Sequence, residues 1–305
     1  MSDDLTEGRL VLVGPGRAGL ALVRSWTGAG GRVVLVARNV SRAERRGLND
    51  SAVEVRSQDD PRALAGDVLV LAVPDDVIEE VAAALAPRAA CRFSFHLSGA
   101  LSARALAPLS DSSSVGSLHP LRAFIGAPEE TWKDAFVAVE GEEEAAQAGS
   151  RLCRRIGARP RRLSASEKPL YHCAATLAAG GVASLLSLST RIWEEAGLDE
   201  EEGRVELARL AVGAAEAVDR LPFAEALTGP VARRDVETVR LHRTALSGRP
   251  DLARLYEQLA LETLRRTAGR GRENEIARLF ESGRGDAEES TPTSGKKSDT
   301  LAQKG

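Results

Sequence analysis

Histidine and lysine are scarce in this chain, so each one near a turn or a strand end is a candidate for chemistry. There are four histidines, His96, His119, His172 and His242, and five lysines, of which only Lys133 and Lys168 precede the polar carboxyl-terminal stretch. Lys168 and His172 fall one turn apart on an expected helix and so share a face. Lysine loses its proton when desolvated, whereas arginine effectively does not. That property suits a general acid or a group that polarises a carbonyl. Lys168, His172 and Ser98, the last in the segment HLSGA, are therefore the expected catalytic residues. The plainer alternative makes Lys168 a solvated residue at a helix start and the histidines core or capping residues. No pair has metal-motif spacing, so no metal is expected. Cys91, Cys153 and Cys173 are odd in number and far apart, which indicates neither a disulfide framework nor a zinc site.

The element that would bring a reactant to these residues lies near the start, in RLVLVGPGRAGLAL. The apolar run ending at Val13 reads as a buried strand. Gly14, Gly16 and Gly19 follow at the G-x-G-x-x-G spacing, and a helical pattern begins at Ala18. Strand, tight glycine turn and helix are the order a dinucleotide-binding turn requires. Gly14 permits the turn, Gly16 admits a pyrophosphate to the backbone, and Gly19 lets helix pack on strand. The helix start offers free N–H groups and a positive dipole end, with Arg17 and Ala18 in its first turn. The alternative is an ordinary strand-to-helix turn without a ligand.

The second strand, VVLVA, ends at Arg38, followed by Asn39, Ser41 and Arg42. An NAD-preferring site would place Asp or Glu there, on the ribose hydroxyls. A guanidinium instead favours a 2′-phosphate through a forked hydrogen bond. NADP is therefore expected over NAD, the alternative being that Arg38 belongs to a solvated arginine-rich face. Val73, Pro74 and Asp75 sit past the end of a later strand, where open α/β sheets bind ligands. Ser98 and Gly99 are expected beside the nicotinamide or substrate.

Strand patterns at 9–13, 32–37, 53–56, 68–73, 92–96, 114–119 and 135–139 alternate with amphipathic stretches at 61–64 and 76–85, and a helix is expected at 142–156 with an edge strand at 159–163. This predicts an α/β fold, a mostly parallel sheet with helices on both faces. From Ser166 helical periodicity takes over, with helices expected at 166–196, 199–220, 231–246, 250–267 and 273–280. The expected domains are 1–163, nucleotide-binding; 164–282, all-α; and 283–305, a disordered tail. A net charge of −3 gives no general attraction to nucleic acid or anionic membrane. The uncharged stretch 173–190 is read as a buried helix of a soluble protein. The polar start, MSDDLTEGR, is unlike a signal peptide, and a cytoplasmic location is expected.

The segments GPGRAG, AVPDDVI, HLSGALS, SLHPLRAF, EKPLYHCAA and ALTGPVARRDVETV, in that order, resemble a bacterial family in which a Rossmann-like domain precedes a helical domain of unknown function. The resemblance spans roughly 8–265. The family is similar in architecture to pyrroline carboxylate reductase, prephenate dehydrogenase and the hydroxyacid dehydrogenases. It implies a helical domain completing a cleft over the nicotinamide, and a homodimer built from helices of that domain. Ala179 and Gly180 stand where the family pattern has Ser-Asn. Arg122 and Arg234 stand where uncharged residues are expected, and either could meet a substrate carboxylate or reflect the arginine bias. The reading that follows is an NADP-dependent oxidoreductase acting on a small, anionic C=O or C=N substrate held by His119, Arg122, Thr228 and Arg233. The alternative is an NADP-binding sensor or regulatory dimer without turnover. Neither a nucleic acid nor a membrane is an expected partner.

Overall fold

A computed structural model describes residues 8–41, 50–60, 62–268 and 273–281. The chain divides into two compact units, Met1–Ser184 and Leu185–Gly305.

The first unit is built on eight strands: β1 (Arg9–Val13), β2 (Arg32–Ala37), β3 (Val53–Ser57), β4 (Ala65–Leu71), β5 (Ala90–His96), β6 (Ser114–Pro120), β7 (Phe136–Gly141) and β8 (Arg159–Arg162). They form one sheet in the order β3-β2-β1-β4-β5-β6-β7-β8. All neighbours are parallel except β6 and β7. This is the mostly parallel α/β architecture expected from the alternating pattern.

Side chains alternate across a strand, and here both faces are dry. Leu10, Leu12, Val33, Leu35, Val68, Val70, Phe93 and Phe95 share one core with Leu22 and Trp26 of α1 (Arg17–Gly28) and Leu152 of α3 (Glu143–Arg155). Val11, Val34, Val36, Leu69 and Leu71 share the other with Ile78 and Ala82 of α2 (Ile78–Leu85) and Leu106 of the 3₁₀ segment Ala103–Leu109. Near-continuous apolar runs of this kind mark a parallel sheet covered on both faces. The expected amphipathic stretch at 61–64 is not helical: residues 62–64 form a turn, and Pro61 lies outside the described residues. Four residues are too few for a helix that must bury a stripe.

The helix α4 runs from Lys168 to Glu195 and contains a π-helical turn, Leu177–Gly181. The unit division falls within it, after the expected boundary at 163/164. Its first turn belongs to the sheet unit because the Lys168 side chain is buried there, bonded to β6. The uncharged stretch 173–190 is not a buried helix in this chain, because Leu177, Val182 and Leu185 are all exposed. By length and composition alone α4 is long and apolar enough to cross a membrane.

The second unit contains α5 (Glu200–Arg220), capped by Asp199 Oδ1 accepting from the Glu202 N–H at 2.9 Å. Two short helical segments follow, Phe223–Ala226 and Gly229–Arg233. The last three helices are α6 (Val236–Ala245), α7 (Pro250–Arg266) and α8 (Glu273–Glu281). A small core joins Val231, Val236, Val239, Leu264, Ile276 and Phe280. The single helix expected at 231–246 is broken at Arg234, whose φ is +61°, and restarts at the Asp235 cap. Arg234 is buried, and its guanidinium donates to the carbonyls of Val231, Ala232 and Thr267 and to Thr267 Oγ1. It therefore ties off a helix end, and its expected availability to a substrate carboxylate is corrected. The expected tail lies outside the described residues.

Candidate functional site

The glycine turn is shaped by close approach. Gly14 has φ +94°, and a Cβ on it would lie 2.7 Å from the Ala72 carbonyl oxygen. A Cβ on Gly19 would meet the Ala72 Cβ at 2.7 Å, so α1 packs directly on the loop after β4. Gly16 is exposed and caps α1 with no side-chain hydrogen bond. The first N–H groups of α1 thus carry no side-chain cap, which is the arrangement that receives an anion. Arg17 is exposed, with Nη1 3.4 Å from the Phe124 carbonyl. Ala18 accepts from the Trp132 indole. Arg38, Asn39 and Ser41 are exposed just beyond β2, and Arg38 makes no ion pair among the described residues. Arg42 lies outside the described residues. These positions fit a dinucleotide: glycines where a side chain would collide, and an exposed guanidinium at the end of β2.

Beyond β5 the chain makes a tightly bonded turn. The Ser98 N–H donates to His96 Nδ1 at 3.1 Å, so the His96 proton is on Nε2, 3.0 Å from the Ser102 carbonyl. Ser98 Oγ donates to Asp75 Oδ2 at 2.5 Å and accepts from the N–H groups of Ala100 and Leu101. Asp75, with Val73 and Pro74, is thereby linked from the end of β4 to the end of β5. Burial, reinforced by the charge on Lys168, pushes His96 down to about 4. His96 is a fully buried, neutral member of the turn.

A row of polar side chains crosses the sheet beneath this turn. His96, Ser117 and Glu140 are register neighbours on β5, β6 and β7. Lys168 closes the row. Its Nζ donates to Ser117 Oγ at 2.6 Å and to the Ser98 carbonyl at 3.1 Å, and Glu140 Oε2 lies 3.7 Å away. Glu140 Oε2 also accepts from Ser117 Oγ at 3.1 Å and from the Ala103 N–H at 2.8 Å. Lys168 is 1% exposed and Glu140 6%. Burial pulls the lysine down to about 8, against the opposing pull of Glu140. The expected catalytic trio is thus divided: the Lys168 and Ser98 polar groups are engaged with the protein, and His172 Nδ1 is buried with no hydrogen-bond partner among the described residues.

His172 and His119 press on Gly99. A Cβ there would lie 2.3 Å from His172 Nδ1 and 2.8 Å from His119 Nε2. The two imidazoles meet edge to face, centroids 5.3 Å apart. His119 Nδ1 is 2.9 Å from the Tyr171 hydroxyl. Burial, then the charges of His172 and Lys168, take His119 down to about 4, while burial raises Tyr171 to about 12.

Arg122 is exposed but spends Nη1 on the carbonyls of Thr131 and Lys133. Thr228 and Arg233 are exposed in the second unit. Ala179 and Gly180 lie in the π-helical turn. Among the described residues no group of three or more His, Cys, Asp or Glu side chains could hold a metal ion. A cavity of about 800 Å³ lies at the amino ends of β1–β3, lined by Arg9, Arg32, Glu54 and Arg56, at the opposite end of the strands from the glycine turn.

Ser117, Glu140 and Tyr171 were not anticipated. The signal for two of them was a polar residue at an inward position of an otherwise apolar strand, in SVGSL and FVAVE. Tyr171 carried no such mark.

This fold and turn define a Rossmann-like protein with a helical continuation. The family models agree: residues 1–120 match a Rossmann-like domain and residues 135–263 match the domain of unknown function DUF2520. The two matches follow one another along this chain, a Rossmann-like domain and then DUF2520. No curated protein matches its sequence. Among solved structures, protein TM1727 from Thermotoga maritima is 23% identical with a TM-score of 0.67, the match covering 90% of this chain and 99% of that one. Protein BF3122 from Bacteroides fragilis is 18% identical, TM-score 0.68, covering 85% and 99%. The pyrroline carboxylate reductase of Plasmodium falciparum, solved with NADP bound, is 11% identical, TM-score 0.55, covering 87% and 100%. These likenesses establish the fold.

Proposed function

We propose that this chain is an NADP-dependent oxidoreductase acting on the C=O or C=N bond of a small anionic substrate. The observation that carries the reading is the glycine turn, where Gly14 and Gly19 lie against the loop after β4 and the first turn of α1 is uncapped. Gly14, Gly16, Arg17 and Ala18 would hold the pyrophosphate. Arg38 and Ser41 would hold the 2′-phosphate, and Asp75, Ser98 and Gly99 would border the nicotinamide. When bound, the cofactor supplies or accepts hydride. The NADP-bound pyrroline carboxylate reductase of the same fold supports the choice of chemistry. Titration calorimetry with NADPH and NADH tests the reading. Tighter binding of NADPH is expected; heat from neither would overturn it.

The role of this chain's own residues is to present a dry, fixed wall. Lys168 positions the Ser98–Gly99 turn through the Ser98 carbonyl, and Glu140 and Ser117 hold Lys168. Gly99 leaves room for two imidazoles. A second reading, a cofactor-binding sensor without turnover, is favoured by Ala179 and Gly180, which offer no polar side chain about two turns after His172. NADPH oxidation against a panel of keto acids, imines and aldehydes separates the two, because a sensor binds cofactor and oxidises none.

We also propose that the partner of α4 is a second copy of this chain in the cytoplasm, with neither membrane nor nucleic acid involved. Leu170 and Leu177 of α4 are each more than half exposed, and apolar helix surface of that kind is normally covered. Light scattering on detergent-free protein should give a dimer mass. A monomer, or material that requires detergent, would refute it.

A further inference from the structure

We propose that Tyr171 locks His119 as the Nε2–H tautomer, so that an uncharged imidazole offers a fixed N–H over Gly99 to the substrate heteroatom. The inference rests on the reductase reading of the site and deepens it by assigning the group that bears the developing negative charge.

The 2.9 Å contact between the phenol and the ring nitrogen fits either direction of donation, and we assign the phenol as the donor. The Tyr171 hydroxyl has a single partner among the described residues, His119 Nδ1 at 2.9 Å. With the phenol donating, Nδ1 is the bare nitrogen and the ring proton sits on Nε2. Tyr171 keeps its own proton because burial raises it to about 12, and His119 stays uncharged because burial takes it to about 4. The charged and titratable groups facing His119 are His172 and Lys168 of α4 and Asp75 from the end of β4.

The N–H is also aimed. His119 is the penultimate residue of β6, and its Nε2 packs against the Gly99 backbone, where a Cβ would come within 2.8 Å. Gly99 is the turn that Lys168, Asp75 and His96 fix in place. The neighbouring His172 ring stands perpendicular at 5.3 Å, its Nδ1 buried without a partner among the described residues. An uncharged imidazole N–H held in this wall stabilises charge as it forms on a carbonyl oxygen or imine nitrogen: hydride adds to the carbon, the π pair moves onto the heteroatom that the N–H holds, and a solvent water supplies the proton that completes the alcohol or amine. His119 is thus the catalytic residue, because it touches the reacting heteroatom. Tyr171 acts through it and is a positioning residue, as is Lys168.

Long-range ¹H–¹⁵N spectra of histidine-labelled protein without cofactor, at neutral pH, test the lock directly. The expected result is a pyridine-like Nδ1 and a pyrrole-like Nε2 on His119. Tyr171→Phe should convert this single tautomer to a mixture. A His119 proton on Nδ1 in the parent, or an unchanged single tautomer in Tyr171→Phe, would overturn the proposal. The variant is isosteric apart from one oxygen, and its melting temperature reports whether it folds. Because no cofactor is present, failure here is separate from failure of NADPH binding. Where the substrate panel gives turnover, Tyr171→Phe should lower kcat about tenfold while NADPH affinity is kept. A kcat equal to the parent's would equally overturn the proposal.

Discussion

Two halves of one sheet face are built on opposite principles. Under α2 the face is wholly apolar, with Val11, Val34, Leu69 and Leu71 packed on Ile78 and Ala82. Toward β5, β6 and β7 the same face carries His96, Ser117, Glu140 and the side chain of Lys168, equally sealed from water. The apolar half needs only volume and shape. The polar half needs every donor and acceptor in register, because a buried charge without its partner costs far more than a missing methyl group. A protein that needed only stability could have continued with valine. The polar half instead fixes the Ser98–Gly99 turn from below, against which the two imidazoles rest.

The comparison can be broken by removing one partner from each half. Glu140→Ala strands the Lys168 ammonium and the Ala103 N–H, and should destabilise by about 3–5 kcal/mol in urea melts. Pairing it with Lys168→Met should recover much of that loss; a double variant as unstable as the sum would deny the coupling. Leu69→Ala, in the apolar half, should cost about 2–5 kcal/mol with no such rescue. A Glu140→Ala cost below that of a surface substitution, about 0.5 kcal/mol, would mean that the polar row is not sealed.

Acid sharpens the contrast, since only one half titrates. His96 and His119 have native values near 4, below an unfolded value of 6.5. As pH falls from 6.5 toward 4 the unfolded chain binds protons that the native chain refuses. Stability should drop by about 1.4 kcal/mol per pH unit for each imidazole across that window. Lys168 works in the same direction higher up. Its native value near 8 lies below 10.5, so stability should rise again between pH 8 and 10.5, and this second rise should vanish in Lys168→Met. Denaturant midpoints across pH measure both.

The smallest stability effect belongs to the opposite end of the site. Arg38→Ala, at an exposed position with no ion pair among the described residues, should move stability by no more than about 0.5 kcal/mol. It should also weaken NADPH binding at least about tenfold relative to NADH. Equal loss for both cofactors would remove Arg38 from the 2′-phosphate site.

Several of these features were readable along the chain. The bounds of β1 and β2 follow from uninterrupted apolar runs, and the glycine turn from its spacing. The break at Arg234 was not readable, because ALTGPVARRDVETV gives no sign that one arginine turns back to cap its own helix. Lys168 drew notice for being a lysine among arginines, but its burial depends on Glu140 and Ser117, which are distant in sequence. Arg122 was readable as an exposed cation, but the bonds of its Nη1 to the carbonyls of Thr131 and Lys133 were not.

What the amino-acid order determined by itself is whatever depends on neighbouring residues: strand and helix periods, and a turn whose backbone needs glycine. The three-dimensional fold alone decided which polar side chains became wall and which remained open. That outcome depends on hydrogen-bond partners, and strand register brings them together from opposite ends of the unit. A buried lysine and an exposed one are the same letter; only the acceptors around the ammonium distinguish them.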